Sequence, residues 1–339
     1  MSKRLLIAIA FLASFISCHK SDNQDCLPTE LSKLKIPAGF PAPEFPEDNK
    51  FTNARWELGK KLFFDPVMSR DESISCSSCH KAALAFSDDV ALTSGVDNLP
   101  GTRNSPTLTN VAYQPYYTRE GGIPTLEMQV AVPVQEHNEF DFNMVLIAER
   151  LLLDEVYVDL SMEAYDVEPS TFVITRALAC FERSMISGES PADSYDNGNF
   201  SALSNVELEG RELFFNDEIG CAECHGGMNY TSYNFENNGL YEVYADSGRY
   251  RLTLLEDDIA RFKVPTLRNI EMTAPYMHDG SLSTLEDVVD HYSAGGNGHF
   301  NQSPLVTELD LSVQEKSALI SFLKALTDSN FITDERFQN

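Results

Sequence analysis

The chain is 339 residues long, 42% of them apolar, and 25 basic side chains face 52 acidic ones for a formal charge of −27. That length accommodates two domains with cores of their own. The acidic excess excludes nucleic acid and an anionic membrane surface as partners; it fits a solvated acidic surface, and it also permits electrostatic steering of a basic partner.

In chain order, Lys3-Arg4 and an apolar run over 5–16 that ends at Ser17-Cys18 predict a signal peptide at residues 1–17. A small residue just before Cys18 points to lipoprotein processing with Cys18 as the lipidated residue, although Phe15 departs from the usual aliphatic side chain. Residues 18–50 then read as an anchor candidate and an extended tether carrying Pro37, Pro41, Pro43 and Pro46. The stretch Glu57-Leu58-Gly59-Lys60-Lys61-Leu62-Phe63-Phe64 predicts an amphipathic helix, and Cys76-Ser77-Ser78-Cys79-His80 follows it. Helical spacing recurs over 142–153 and 172–186, and turn residues around Ser190-Pro191 and Asn197-Gly198 mark a boundary near 190–203. Glu209-Gly210-Arg211-Glu212-Leu213-Phe214-Phe215 nearly repeats the first helix and again leads into such a pentapeptide, Cys221-Ala222-Glu223-Cys224-His225. An amphipathic helix over 313–326 closes the pattern, and no later stretch is long and apolar enough for a transmembrane helix.

Each Cys-x-x-Cys-His pentapeptide is an attachment signature for a c-type haem. Its thiols, Cys76 with Cys79 and Cys221 with Cys224, have the spacing of the two haem vinyl groups. The adjacent imidazole, His80 or His225, then falls beneath the iron as proximal ligand. A zinc clip needs further Cys or His ligands nearby, and a thioredoxin-like redox pair expects a βαβ setting; neither context is present. Covalent haem attachment outside the cytoplasm agrees with export. Of the 7 cysteines, four serve the haems, Cys18 is the lipidation candidate, Cys26 lies in the leader and Cys180 reads as core, so no disulfide is expected. The predicted fold is mostly α with long loops and little sheet. It comprises two cytochrome c-like domains, at 51–195 and 203–330, each with one covalently bound c-type haem.

The stretch from Asn53 to Thr327 resembles the bacterial di-haem cytochrome c peroxidase and MauG family. The resemblance rests on the first helix with Asp65, on Arg103-Asn104-Ser105-Pro106-Thr107 and on Ala179-Cys180-Phe181-Glu182-Arg183-Ser184-Met185-Ile186-Ser187. It rests also on Val264-Pro265-Thr266-Leu267-Arg268-Asn269 and Pro275-Tyr276-Met277-His278-Asp279-Gly280. It implies that the haem of His80 is the peroxide site and that the haem of His225 handles electrons. The family's distal glutamine, proline and catalytic glutamate match Gln129, Pro133 and Glu139. A carboxylate suits that place, because a peroxide needs one proton moved between its oxygens for water to leave as the O–O bond breaks. His137 reads as an exposed side chain, with a second distal donor as the alternative.

Four details qualify the resemblance. Many family peroxidases cap the oxidised first iron with a loop histidine, but none lies between His80 and His137, which predicts an open first haem active without reductive priming. The position of the second haem's sixth ligand, methionine in the peroxidases and tyrosine in the MauG branch, is Tyr292; His291 and Met277 are the alternatives. A tyrosinate there favours the ferric and higher states, whereas Met with His raises the potential. The tryptophan expected between the haems matches Arg119, which cannot relay a hole; Trp56 lies before the first motif, and Tyr113, Tyr116 or Tyr117 is left for that part. The family's calcium between the domains would fall to Asn104, Thr273 and Pro275, while His278 organises the surroundings of the second haem.

The resemblance implies an exported enzyme, periplasmic or in the cell envelope and possibly lipid-anchored to the outer membrane, monomeric or homodimeric. It would reduce hydrogen peroxide to water with electrons from a small donor, a cytochrome c or a cupredoxin. The alternatives are a MauG-like oxidase that uses peroxide to modify a side chain of a partner protein, and a non-catalytic di-haem electron carrier.

Overall fold

The computed structural model describes residues 33–339, so the expected signal peptide, Cys18 and Cys26 lie outside the described residues. The fold is mostly helical, and its only named strands among the described residues, β1 (Phe235–Glu236) and β2 (Phe262–Lys263), form one short antiparallel ladder. The first half contains α1 (Asn53–Phe64), the single turn α2 (Cys76–Cys79), α3 (Leu126–Gln129), α4 (Ala131–Gln135), α5 (Met144–Leu151), α6 (Glu155–Tyr165) and α7 (Thr171–Glu182). The second half contains α8 (Pro191–Asp196), α9 (Asn205–Phe214), α10 (Cys221–His225), α11 (Tyr250–Thr253), α12 (Leu285–Ser293), α13 (Val313–Lys324) and α14 (Ser329–Ile332). Among the described residues no helix is long and apolar enough to cross a membrane.

The repeated helix seen in the sequence becomes a repeated helix crossing. The Thr52 side chain caps α1 by accepting from Arg55 N, and its inward face buries Trp56, Leu58, Leu62 and Phe63. It crosses α7 at Gly59, where an added Cβ would collide with the Ala177 carbonyl, and Phe63 packs on Phe181 with ring centroids 5.2 Å apart. In the second half α9 starts from a Ser204–Glu207 capping box and crosses α13 at Gly210, where a Cβ would collide with the Ala318 carbonyl. Phe214 and Phe322 repeat the aromatic contact, again at 5.2 Å. Hydrogen at the glycine lets the backbones close on each other, and a phenylalanine one turn later fills the space beside the crossing.

A second repeat, at one constant spacing, runs from Pro106 to Val134 and from Pro265 to Ser293. Pro106-Thr107-Leu108-Thr109-Asn110 answers Pro265-Thr266-Leu267-Arg268-Asn269, with Asn110 and Asn269 both left-handed at φ 57° and 58°. Tyr117 bridges to Ile123 as Tyr276 does to Leu282, and left-handed Gly121 answers Gly280. Thr125 and Thr284 then cap α3 and α12. The two stretches are therefore the same scaffold around two sites.

The larger core gathers around Phe63, Phe86 and Phe181, the smaller around Phe214, Leu285 and Phe322. Two segments join the first core from afar. Residues 33–50, expected within the tether, lie on the body with Leu34, Pro37 and Pro43 buried. Phe331 and Phe337, beyond the expected end of the second domain, are 4% and 0% exposed in the first core against Phe86. Between the halves Asn110 Nδ2 donates to Asn229 Oδ1 at 2.8 Å, and one Asp328 oxygen accepts from Ser187 Oγ and from the Gly188 and Glu189 amides at 3.0 Å each. Deep ion pairs brace each half: Arg183 grips Glu127 at 2.5 and 2.9 Å, and Arg268 grips Asp193 with two bonds of 2.9 Å.

Candidate haem sites

Each pentapeptide folds as one helical turn, which brings its two thiols to the same side with the histidine at the end. In the first, Ser75 and Ser78 form a capping box and the His80 amide closes on Cys76 O at 3.0 Å. The chain then loops over 81–87, held by Lys81 N to Ser87 O at 2.9 Å and Phe86 N to Lys81 O at 2.8 Å. That loop presents the Phe86 carbonyl to His80, whose Nδ1 donates to it at 2.9 Å. His225 is held in the same way by Tyr230 O at 3.2 Å. With Nδ1 donating, Nε2 carries the lone pair that a metal-ligating imidazole requires, and a second backbone carbonyl, Pro106 or Pro265, also lies beside each ring. Burial lowers the His80 pKa and brings that of His225 down to about 4, so both rings are neutral and able to ligate.

The thiols separate the haem reading from its rivals. Burial, with added repulsion from Glu182 and Cys79, raises the Cys76 pKa; burial and Glu139 push Cys79 up to about 12; burial brings Cys221 and Cys224 to about 11. A redox pair depends on a depressed thiol pKa, so these cysteines are unsuited to that chemistry. Among the described residues no group of three or more His, Cys, Asp or Glu is placed to hold a metal ion. The residues fit covalent haem at both motifs.

Around the first motif, α3 ends at Gln129 and α4 carries Pro133. The chain reverses after α4, with Glu139 N bonded to Glu136 O at 3.0 Å and Phe140 N to Pro133 O at 3.2 Å, so Glu139 returns beside Pro133. Glu139 is near enough to raise both Cys76 and Cys79, and burial with the Glu136 charge lifts its own pKa to about 7. Gln129 Oε1 is buried without a hydrogen-bond partner, an acceptor left for something outside the chain. His137 points outward, its side chain 69% exposed, with Nδ1 3.0 Å from Asp141 Oδ1. Sequence reasoning missed Glu182, a buried carboxyl near Cys76 that burial raises to about 8 despite Arg183. Its signal was an acid inside the apolar face of the 172–186 helix.

The second site is built differently. Tyr292 is half-buried on α12, close to Cys221 and Cys224; burial lifts its phenol to about 12, opposed by a hydrogen bond with Asn238. Asn238 also engages both alternatives to Tyr292. Its carbonyl accepts from His291 Nε2 at 2.9 Å, and its Nδ2 donates to Met277 Sδ at 3.1 Å. In the internal repeat Tyr292 stands where the first half has Pro133. His278 stacks on Phe262 with centroids 4.5 Å apart.

Trp56 is buried, bonded through Nε1 to Ser184 Oγ at 2.7 Å and edge-on to Phe181, within the first core. Tyr116 stacks on Phe235 at 5.2 Å and donates to Tyr233 O, Tyr113 donates to Pro41 O at 2.8 Å, and Tyr117 is buried. Of the three residues expected around a calcium, Asn104 meets the segment holding the other two, through its N–H to His278 O at 2.9 Å. Its carbonyl, however, accepts from Arg119 Nη2 at 2.7 Å, and its Oδ1 lies 3.4 Å from the same nitrogen. A donor already held by a guanidinium does not fit a divalent ion.

Fold and sites together define a mostly helical cytochrome with two c-type haem motifs in unlike surroundings. The family model for di-haem cytochrome c peroxidases matches residues 53–201. The methylamine utilization protein MauG of Methylorubrum extorquens is 35% identical over 89% of this chain and 86% of its own length. The cytochrome-c peroxidase IdrP1 of a Pseudomonas species is 31% identical over 95% and 90%. Among solved structures, a MauG-like protein associated with microbial copper homeostasis superposes with a TM-score of 0.85 at 31% identity, covering 89% of this chain and 97% of that one. The chain belongs to the di-haem cytochrome c peroxidase family, a family of haem-dependent enzymes.

Proposed function

We propose that the protein reduces hydrogen peroxide to two molecules of water, taking up two electrons and two protons, at the haem carried by Cys76, Cys79 and His80. Cys221, Cys224 and His225 would hold the second haem, which would supply the electron-transfer chemistry. The haems supply the redox chemistry; the chain positions peroxide and moves its protons. The observation that carries this reading is Glu139, a carboxyl poised near pH 7 beside the first motif. Such a group takes a proton from one peroxide oxygen and returns it to the other. Gln129, with its unpartnered oxygen, orients the proton that peroxide retains, and Pro133 adds bulk but no donor. The domains at 51–195 and 203–330 then divide the labour, one for peroxide and one for electrons.

Tyr292 favours a second reading, a MauG-like oxidase that draws its electrons from a side chain of a partner protein. At a pKa of about 12 the phenol is neutral unless a cation meets its oxygen, so as sixth ligand to the second haem it would bond as phenolate and favour the oxidised states. The leader and covalent haem support export to the periplasm or cell envelope, with Cys18 as lipid anchor.

Steady-state peroxide consumption by the di-haem protein, with reduced small cytochromes and cupredoxins as donors, tests the first reading. Catalytic oxidation of such a donor is expected. Mass spectrometry of partner proteins incubated with the enzyme and peroxide tests the second. Failure of both, with two six-coordinate haems in the electron paramagnetic resonance spectrum, would leave a plain electron carrier.

A further inference from the structure

Arg103, Arg119 and Lys263 gather where the two halves meet, in a chain that as a whole carries −27. Arg103 occupies the nearby carboxylates: it meets Glu120 at 2.5 Å and holds Asp246 with bonds of 2.6 and 2.9 Å. Arg251 also reaches Glu120 at 3.4 Å, and Asp279 accepts from Tyr241 Oη at 2.6 Å. Among the described residues Arg119 touches no carboxylate. Its Nη2 lies on the Asn104 carbonyl at 2.7 Å and 3.4 Å from Asn104 Oδ1, and its Nε is buried without a partner. Lys263 lies next door, its ammonium brought down to about 7 by burial and by the Arg119 charge. Its amide donates to Arg119 O at 2.7 Å, and its Nζ donates to Gln114 Oε1 and, at 2.9 Å, to Tyr116 O. Asn104 in turn donates its N–H to His278 O, in the segment that holds Thr273 and Pro275.

A calcium ion takes about six to eight oxygens and is held most firmly by carboxylates. Here the one side-chain donor expected for it, Asn104, is a neutral amide shared with a fixed positive charge. A divalent ion within bonding distance of Asn104 Oδ1 would stand within a few ångströms of the Arg119 guanidinium, in a place where burial weakens screening. Glu120, Asp246 and Asp279 act on Arg119 from nearby, but the first two are paired with Arg103, so the negative charge they lend the site is already shared between two guanidiniums. Arg119 occupies the tryptophan position of the family pattern, so the change that removes the aromatic ring also delivers the charge.

We infer that the Arg119 guanidinium is itself the cation that fastens Asn104 where the two halves meet, and that this site holds no calcium. The charge is covalently tethered, so it cannot be chelated and its occupancy does not depend on the free ion. The test uses the full di-haem protein. After dialysis, elemental analysis is expected to find no stoichiometric calcium, and the melting temperature is expected to be equal in excess chelator and in excess calcium. Arg119→Gln removes the charge while keeping a polar side chain. It is expected to acquire a calcium-dependent rise in melting temperature of roughly several degrees, and Arg119→Lys is expected to remain indifferent. One calcium per wild-type chain, or a wild-type melting temperature lowered by chelator, would overturn the inference. So would an Arg119→Gln protein that folds and is as indifferent to calcium as wild type. Should that variant not fold, the wild-type measurements decide.

Discussion

Replacing Glu139 by glutamine gives the sharpest test of the first site. Burial and the Glu136 charge bring the Glu139 carboxyl to about 7. The form that accepts a proton is therefore about a tenth of the population at pH 6, half at pH 7 and nine-tenths at pH 8. The rate constant for reaction with peroxide should rise about ninefold from pH 6 to pH 8 and then level. Glutamine keeps the shape and loses the base, so the rate at pH 8 should fall by roughly 10²–10⁴ and the pH limb should vanish. Glu136→Gln removes one of the two causes of the shift and should move the midpoint of the limb to lower pH while sparing the plateau. Stopped-flow mixing of the di-haem enzyme with peroxide measures this without donor docking limiting the rate. A flat wild-type profile, or a Glu139→Gln enzyme within threefold of wild type at pH 8, would refute the assignment.

Tyr292→Met should raise the reduction potential of the second haem, read by spectroelectrochemical titration; an unchanged potential would place the ligand elsewhere. Gly59→Ala and Gly210→Ala each push a methyl into a facing carbonyl, at Ala177 or Ala318, and should cost about 1–3 kcal/mol by denaturant unfolding. Comparable losses from the two substitutions would show that the crossings are equivalent, and no loss would show that the helices separate freely. Glu127→Gln leaves Arg183 buried without its carboxylate and should destabilise by about 3–5 kcal/mol, whereas an effect below about 1 kcal/mol would mean water reaches the pair.

The parts of the molecule governed by local covalent chemistry were legible in the sequence. Haem attachment fixes its own spacing, so both pentapeptides could be read directly, and the repeated helix before each could be read from periodicity. The meaning of Gly59 and Gly210 could not, because a glycine inside a helix shows only weakness until the facing backbone is known. The second repeat is written in the sequence as identical pairs at one spacing, Asn110 with Asn269 and Gly121 with Gly280 among them, but only the structure shows that these pairs are matching left-handed turns. Asn238 gave no signal at all: its role arises from contacts with His291 and Met277 that are distant in sequence. Glu182 was visible as an acid among apolar neighbours, but only packing showed it buried near Cys76.

The carbonyl that aims His80 belongs to Phe86, and the ring of Phe86 rests on Phe331 and Phe337 at 5.7 and 5.5 Å. The imidazole that serves the first iron is thus steadied by residues near the far end of the chain. During synthesis both cysteine pairs emerge before this support does. Trimming the C-terminal segment should therefore be felt at the earlier haem first, in its spin state and ligand field, while the neighbouring haem keeps its spectrum.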